Sequence, residues 1–277
     1  MGEKLNLGIV DGLDYMPLIE AIESGDILMG VNLIKDTPKG LHDKFLAGEI
    51  DIAPLPTIEY AEHFNQCVIL PDLSLTTIGA VTDLLLFSKV PISQLQGKTI
   101  AVPNAAEGTQ ALLHILMDHY YEIDVNYVWL EPNLDKMLEQ ADAALLNADR
   151  ALIAREQYDS YHLLDLGKLW QDFTKEPFVS TLWLAREDYA VRNPVQLELM
   201  AKALQASMEI GMKNISRLVD KAKERYNLSG EIVEQYFASF QTKFDHSCRK
   251  ALLRYFAHAQ ICGIIPPKVT LKIWGES

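Results

Sequence analysis

Cysteine is scarce in this chain. Cys67, Cys248 and Cys262 are odd in number, widely scattered and without any CxxC pair, so neither a disulfide framework nor a thiolate zinc module is expected. Positive charge is also short. Twenty-five Lys and Arg stand against 38 Asp and Glu, a net charge of −13. A general binder of nucleic acid or of an anionic membrane needs clustered basic residues, so both partner classes are excluded as expectations. One local basic pocket for an acidic metabolite remains open. No apolar run approaches the length of a membrane span. Met1 leads into the short block Leu5–Val10 without the basic segment and long apolar core of a secretory signal. The expected location is cytoplasmic, although a mature exported chain relieved of its leader would read alike. GxSxG, a P-loop and GxGxxG after the first strand are all missing, which leaves hydrolase, NTPase and dinucleotide readings unsupported. His114 and His119 stand five apart, off the i, i+4 metal spacing, and His162, His246 and His258 stand alone. Packed or solvated histidines are expected, with no metal and no cofactor. Low-complexity segments and repeats of 20–50 residues are absent.

What the chain does contain is enough apolar residues, 49%, to build one large or two modest cores. Two short apolar blocks about a hundred residues apart organise the rest: Gly79–Lys89, with Leu84–Ser88 at its centre, and Phe178–Arg186. Each is too short for a typical helix and reads as a strand buried on both faces. They divide the chain into a first lobe over 1–86, a second over 87–180, and a return to the first over 181–277, with a ligand cleft between the lobes. In the first lobe, strands are expected at Leu5–Val10, Leu28–Lys35 and Asp51–Leu55, with helices from Pro17 to Gly25 and from Thr37-Pro38 to Gly48. This βαβαβ order implies a mostly parallel sheet. The second lobe repeats the pattern: strands at Gly97–Pro103, Tyr127–Leu130 and Ala143–Leu146, and helices at Gly108–Tyr121 and Leu134–Gln140. After Pro194, helical periodicity covers Val195–Lys213, Ile215–Tyr226, Glu231–Phe244 and Cys248–Ile261. Gly211 weakens the continuity of the first of these four helices.

Gly48-Glu49-Ile50-Asp51-Ile52-Ala53-Pro54, Ile58-Glu59-Tyr60-Ala61, Ile69-Leu70-Pro71 and Gly79 with Val81 resemble the chorismate dehydratases of the futalosine route to menaquinone. So do Ala143-Ala144-Leu145-Leu146, Asp149-Arg150-Ala151-Leu152 and Asp165-Leu166-Gly167 with Trp170. Pro177-Phe178-Val179 through Trp183, Ala185 and Arg186 also fit, as do Leu253, Phe256 and Gly263-Ile264-Ile265. The resemblance runs over nearly the whole chain in the right order, and Asp165–Arg186 is its most specific part. It implies the two-lobed fold of type II periplasmic substrate-binding proteins, an α/β architecture with two crossing strands and a ligand in the interlobe cleft. It also implies a cytoplasmic lyase that needs no metal or organic cofactor and removes water from chorismate to give 3-(1-carboxyvinyloxy)benzoate.

That reaction sets chemical demands. Chorismate is a dianion whose ring becomes aromatic once a ring proton and the neighbouring hydroxyl leave. The site must supply donors for two carboxylates, a proton acceptor, and assistance to the departing hydroxyl. Asp14 follows the first strand, where loops line the ligand crevice of an open α/β sheet; the family has a functionally important Asn there. Asp14 is a candidate base, or an N-cap for the helix near Pro17. Asp83 heads the first crossing strand, where the family usually has Ser, and is either a cleft residue or a strand end facing water. Gly108 and Thr109 stand where the family usually has a Thr-Ser pair, at a strand-to-helix junction suited to an oxyanion. Asn104 and Glu107 read equally as a capping box there. Thr57 occupies a hydroxyl position of the family and opens a helix, as donor or as cap. Asn147, followed by Ala148 where the family usually has Gly, lies at the end of a second-lobe strand and is a further ligand contact. Asp149 with Arg150 reads as a structural ion pair or cap.

Three functions remain in view. The first is a chorismate dehydratase-like lyase, with Asp14 and Asp83 catalytic and Thr57, Gly108, Thr109 and Asn147 binding substrate. The second is a cytoplasmic paralogue of the same fold that binds or transforms a different small neutral or amine-bearing metabolite, because Asp14, Asp83 and Gly108 all depart toward fewer anion donors. The third is a transporter-associated binding protein. Two carboxyls in one cleft would require a raised pKa or a positively charged ligand.

Overall fold

The computed structural model describes residues 4–25, 30–80, 83–104 and 107–276. Two sheets carry the architecture. The first contains β1 (Asn6–Val10), β2 (Asn32–Asp36), β3 (Ile52–Pro56), β4 (Cys67–Thr77), β10 (Phe178–Arg186) and β11 (Phe240–Gln241), in the order β11-β4-β10-β3-β1-β2. The second contains β5 (Leu84–Ser88), β6 (Thr99–Pro103), β7 (Asn126–Leu130), β8 (Ala143–Asn147) and β9 (His162–Asp165), in the order β7-β6-β8-β5-β9. The expected βαβαβ units are present: β1 lies parallel to β2 and β3, and β6 parallel to β7 and β8.

The chain changes sheets between Thr77 and Leu84 and returns between Thr174 and Phe178. The strand that lands in each sheet runs antiparallel to its neighbours. Thus β5 pairs antiparallel with β8 and β9, and β10 with β3 and β4. The two apolar blocks are therefore where the crossings arrive, and the expected divisions at 86/87 and 180/181 fall inside β5 and β10. All five residues of β5 are buried, as its unbroken apolar run requires.

In the first part of the chain, α1 (Met16–Glu23) and α2 (Pro38–Leu46) cover the sheet. Thr37 caps α2 by accepting from the Gly40 amide at 3.1 Å, and Gly48, at φ 81°, turns the chain away after it. A short α3 (Thr57–His63) follows β3 directly. Pro54 and Pro56 offer no ladder N–H, and the register between β1 and β3 is confined to Leu7 opposite Ile52.

The second sheet is covered by α4 (Glu107–Ile115), α5 (Leu134–Gln140), α6 (Ala148–Gln157) and α7 (Leu166–Thr174). The helix of α4 widens to a π-helical segment over Leu116–Tyr121. After β10 come α8 (Glu187–Arg192), α9 (Pro194–Lys213), α10 (Ile215–Tyr226), α11 (Gly230–Ser239) and α12 (His246–Ile261).

The helical tail reaches further than the first lobe. α9 packs on α1 and β4, whereas α12 joins β10 and α4 across the two halves. The rings of Trp170, Phe178 and Tyr255 meet there, with centroids 5.3–6.3 Å apart. Leu152 of α6 shares a core with Leu218 and Val219 of α10 and with Leu13.

Several elements depart from expectation. Leu28 and Met29, where the second strand was expected to begin, lie outside the described residues. The helix expected over Glu231–Phe244 stops at Ser239, because Phe240 and Gln241 pair with Thr77 and Thr76 at the sheet edge. The eleven-residue β4 has no clean alternation in the sequence. Pro71 and Asp72, the latter at φ 54°, bulge out where its register with β10 jumps from Ser74 to Ile69. Gly211 does not interrupt α9: a Cβ there would overlap the backbone of Pro17, so glycine is what lets α9 lie against the start of α1.

Candidate active site

Asp14 sits in a 3₁₀ turn, Leu13–Tyr15, that follows the carboxyl end of β1 and runs into α1. It is not a helix cap: Tyr15 occupies that position of α1 and makes no side-chain capping bond. Asp83 immediately precedes β5 and is buried, 7% exposed, with no described hydrogen-bond partner for its Oδ1. A strand end facing water is thereby excluded. Its backbone oxygen accepts from the Ala148 amide at 2.9 Å. That bond, with the pairing of Leu84 opposite Asn147, holds the start of β5 against the junction of β8 and α6.

The structure adds a third acid. Asp149, in the first turn of α6, accepts from the Leu13 amide at 3.3 Å, which ties the Asp14 turn of one sheet to a helix of the other. The expected ion pair with Arg150 is not formed, because Arg150 turns outward to donate to the Pro132 carbonyl at 3.0 Å. Between Asn147 and Asp149 stands Ala148 with φ 53°. This is backbone that glycine adopts freely and alanine only at a cost, and such strain gathers at functional sites.

Burial raises all three carboxyls, and the charge of Asp149 adds to the rise at Asp14 and Asp83. Burial, then the charge of Asp149, pushes Asp14 up to about 7. Burial, then Asp14 and Asp165, holds Asp83 well above the usual carboxylate range. Burial raises Asp149 as well, with the Leu13 amide and the Arg225 guanidinium opposing. Arg225 pairs with Asp11 at 2.6 Å. Its charge also acts on Asp149.

Tyr15 connects this group to the expected binding residues. Its hydroxyl bonds the Thr181 side chain, and Thr181 stands opposite Pro56 in the sheet. The next residue, Thr57, is buried as the first residue of α3; the capping position belongs to Pro56, so Thr57 is not a cap. From the other lobe, Gly108 at the start of α4 faces the same junction. A Cβ on Gly108 would stand 3.1 Å from Pro56 Cβ, and its carbonyl accepts from Tyr255 Oη at 3.4 Å. Thr109 is buried beside it. Of the expected capping box of Asn104 and Glu107, the Glu107 side chain lies outside what is described, and Asn104 Nδ2 donates to Glu131 at 3.2 Å. Asn147 occupies the capping position of α6 without a side-chain capping bond.

Asp14, Asp83 and Asn147 thus gather on one side, and Thr57, Gly108 and Thr109 on the other, with Tyr15 and Thr181 between them. Asp149, Tyr15, Thr181 and Asp165 were not singled out for this site from sequence. Asp149, Asp165 and Thr181 lie in segments that carry the family resemblance, but no spacing marked any of the four for chemistry. Cavities of about 360 and 600 Å³ open elsewhere, and neither is lined by Asp14, Asp83 or Asp149.

The histidines behave largely as expected. His114 stacks on Tyr127, with centroids 4.0 Å apart. His119 and His258 face each other with Nδ1 atoms 2.9 Å apart, a direct imidazole contact that leaves no space for an ion between those nitrogens.

A model of the menaquinone-biosynthesis family matches residues 5–260. The chain belongs to that family. It is 24% identical over 247 residues to a chorismate dehydratase of Thermus thermophilus, covering 84% of this chain and 88% of the relative. Among solved structures, the chain is similar to protein AF1704 of Archaeoglobus fulgidus, with a TM-score of 0.77, 21% identity and coverage of 95% and 98% of the two chains. It is also similar to the alkanesulfonate-binding protein SsuA of Xanthomonas axonopodis, solved with MOPS bound, with a TM-score of 0.73, 14% identity and coverage of 99% and 98%. A Candida albicans protein of the generic periplasmic-binding-protein fold matches with a TM-score of 0.70 and 11% identity, over 97% of this chain and 92% of that one. The fold of this menaquinone-biosynthesis family member is therefore that of the periplasmic binding proteins. Among its described residues, no helix is long and apolar enough to cross a membrane.

Proposed function

We propose that this protein is a chorismate dehydratase acting in the cytoplasm, with chorismate held between two lobes that divide where the sheets do. The observation that carries the reading is the carboxyl pair of half-buried Asp14 and buried Asp83, placed after β1 and before β5 in a member of the menaquinone-biosynthesis family. Their raised pKa values answer the objection that two acids would repel a dianion. The rise at Asp83 favours its protonated form, the one able to donate to a departing hydroxyl, while Asp14, near 7, is poised to take up a proton. The charge of Asp14 adds to the rise at Asp83, so deprotonation of one disfavours that of the other.

In the reaction, Asp14 takes the ring proton. Asp83 gives its proton to the departing hydroxyl, which leaves as water as the C–O bond breaks and the ring becomes aromatic. Transfer of the proton from Asp14 to Asp83 resets the pair. Thr57, Thr109, Asn147 and the amides at the starts of α4 and α6 bind the two substrate carboxylates. No metal or organic cofactor takes part in this scheme. Chromatography after incubation with chorismate tests it: the enolpyruvyl benzoate is expected, and its absence at high enzyme concentration rejects the reading.

One observation favours a second reading. Three acids, Asp14, Asp83 and Asp149, converge, and Arg225 is already paired with Asp11. Such a cleft suits a neutral or amine-bearing metabolite, and a paralogue of that kind would be stabilised in a thermal-shift screen by such a ligand and not by chorismate.

A further inference from the structure

A second cluster of chemistry-bearing side chains lies on the first lobe, away from the three acids. Glu59 and His63 are four residues apart on α3 and so share one face of that helix. His42 approaches them from α2. The His42 Nδ1 and Glu59 Oε2 atoms are 2.5 Å apart, the two imidazole rings have centroids 5.4 Å apart, and one ligand atom from each of the three residues falls within 4.8 Å of the others. Glu59 is buried and both histidines are partly buried.

We propose that His42, Glu59 and His63 bind a divalent transition-metal ion of the zinc type. Two imidazoles and one carboxylate form a donor set suited to Zn²⁺, with a water in the fourth position. A tetrahedral ion with bonds of about 2.0–2.1 Å places its ligands roughly 3.3 Å apart. The His42–Glu59 pair has to open slightly from 2.5 Å, and the widest separation, up to 4.8 Å, has to close. Both changes are within reach of side-chain rotation, because α2 and α3 already present all three groups to one point. Glu59 already faces His42 across 2.5 Å, and a bound ion would take up both groups with His63 and fasten α3, whose first residue is Thr57, to α2. The expectation of no metal rested on the scattered cysteines, on the spacing of His114 and His119 and on the family resemblance, whereas this set spans two helices and only the Glu59–His63 half is visible in the sequence.

The test uses the full chain stripped with a chelator and titrated calorimetrically with Zn²⁺. Binding of one ion per chain at micromolar Kd or tighter, a rise in melting temperature, and the intense visible bands of four-coordinate Co²⁺ on substitution are expected. His63→Ala is expected to weaken binding by about 100-fold or more, beyond what loss of a supporting outer-shell group costs. His119→Ala is expected to leave it unchanged. If His63→Ala does not fold by circular dichroism, His42→Gln is read in the same way. Failure of the parent chain to take up one Zn²⁺, a six-coordinate Co²⁺ spectrum, or equal affinity in the folded ligand variant overturns the proposal.

Discussion

The Leu13 backbone amide donates to Asp149 Oδ1 at 3.3 Å, so the turn that presents Asp14 is fastened to the helix start that follows Asn147. One hydrogen bond thus links the two sheets at the carboxyl cluster. Removing its acceptor in Asp149→Ala is expected to cost the closed arrangement roughly 1–2 kcal/mol. Small-angle scattering should show a larger radius of gyration for the unliganded variant than for the parent, and identical curves would remove Asp149 from interlobe closure.

The raised pKa of Asp14 gives stability a definite pH dependence. The carboxyl titrates near 3.8 in the unfolded chain and near 7 when folded. Its contribution is therefore fully present below about 4, where both states are protonated, and is lost as the pH rises toward 7. Asp14→Asn stays neutral throughout. It is expected to match the parent at pH 4 and to exceed it at pH 8 by about 1–3 kcal/mol in urea unfolding, below the ceiling of about 4 kcal/mol that three pH units allow. A variant less stable than the parent at pH 8 contradicts the burial assigned to Asp14.

Gly211 concerns the same loop from beneath. Because a Cβ there would overlap the Pro17 backbone, Gly211→Ala must push α9 away from α1. Overpacking of this kind costs about 1–3 kcal/mol, measurable as a lowered denaturation midpoint. Pro17 is three residues from Asp14, so turnover of chorismate should fall as well.

Ala148 offers the opposite change. Its left-handed backbone at φ 53° costs roughly 1–2 kcal/mol for alanine, while glycine returns part of that through a more flexible unfolded chain. Ala148→Gly is expected to raise stability by up to about 1 kcal/mol in chemical denaturation. Loss of stability would show that the surrounding contacts do not hold that conformation.

The fold was legible where one element suffices to mark itself. The apolar run Leu84–Ser88 announced a strand buried on both faces, and the four helices after Pro194 announced themselves by periodicity. β4 was not legible, because its bulge at Pro71 and Asp72 breaks the alternation that identifies a strand. The site was half legible. Asp14 and Asp83 stand at strand ends where ligands are expected, but the sequence offered a cap and a solvated strand end as rivals, and only burial and hydrogen bonding exclude them. Asp149 was assigned to Arg150 because neighbours in sequence are the only partners a sequence displays. Its actual contact, Leu13, is 136 residues away.

The central claim is that the Asp14 and Asp83 carboxyls, in a periplasmic-binding-protein fold, dehydrate chorismate. The most direct measurement is kcat with chorismate for the parent and for Asp14→Asn, following the enolpyruvyl benzoate by chromatography. The account predicts turnover by the parent and a drop of about 10²–10⁴-fold in the variant, the range general acid–base catalysis supplies. No product from the parent at stoichiometric enzyme, or equal rates for the two proteins, would contradict it.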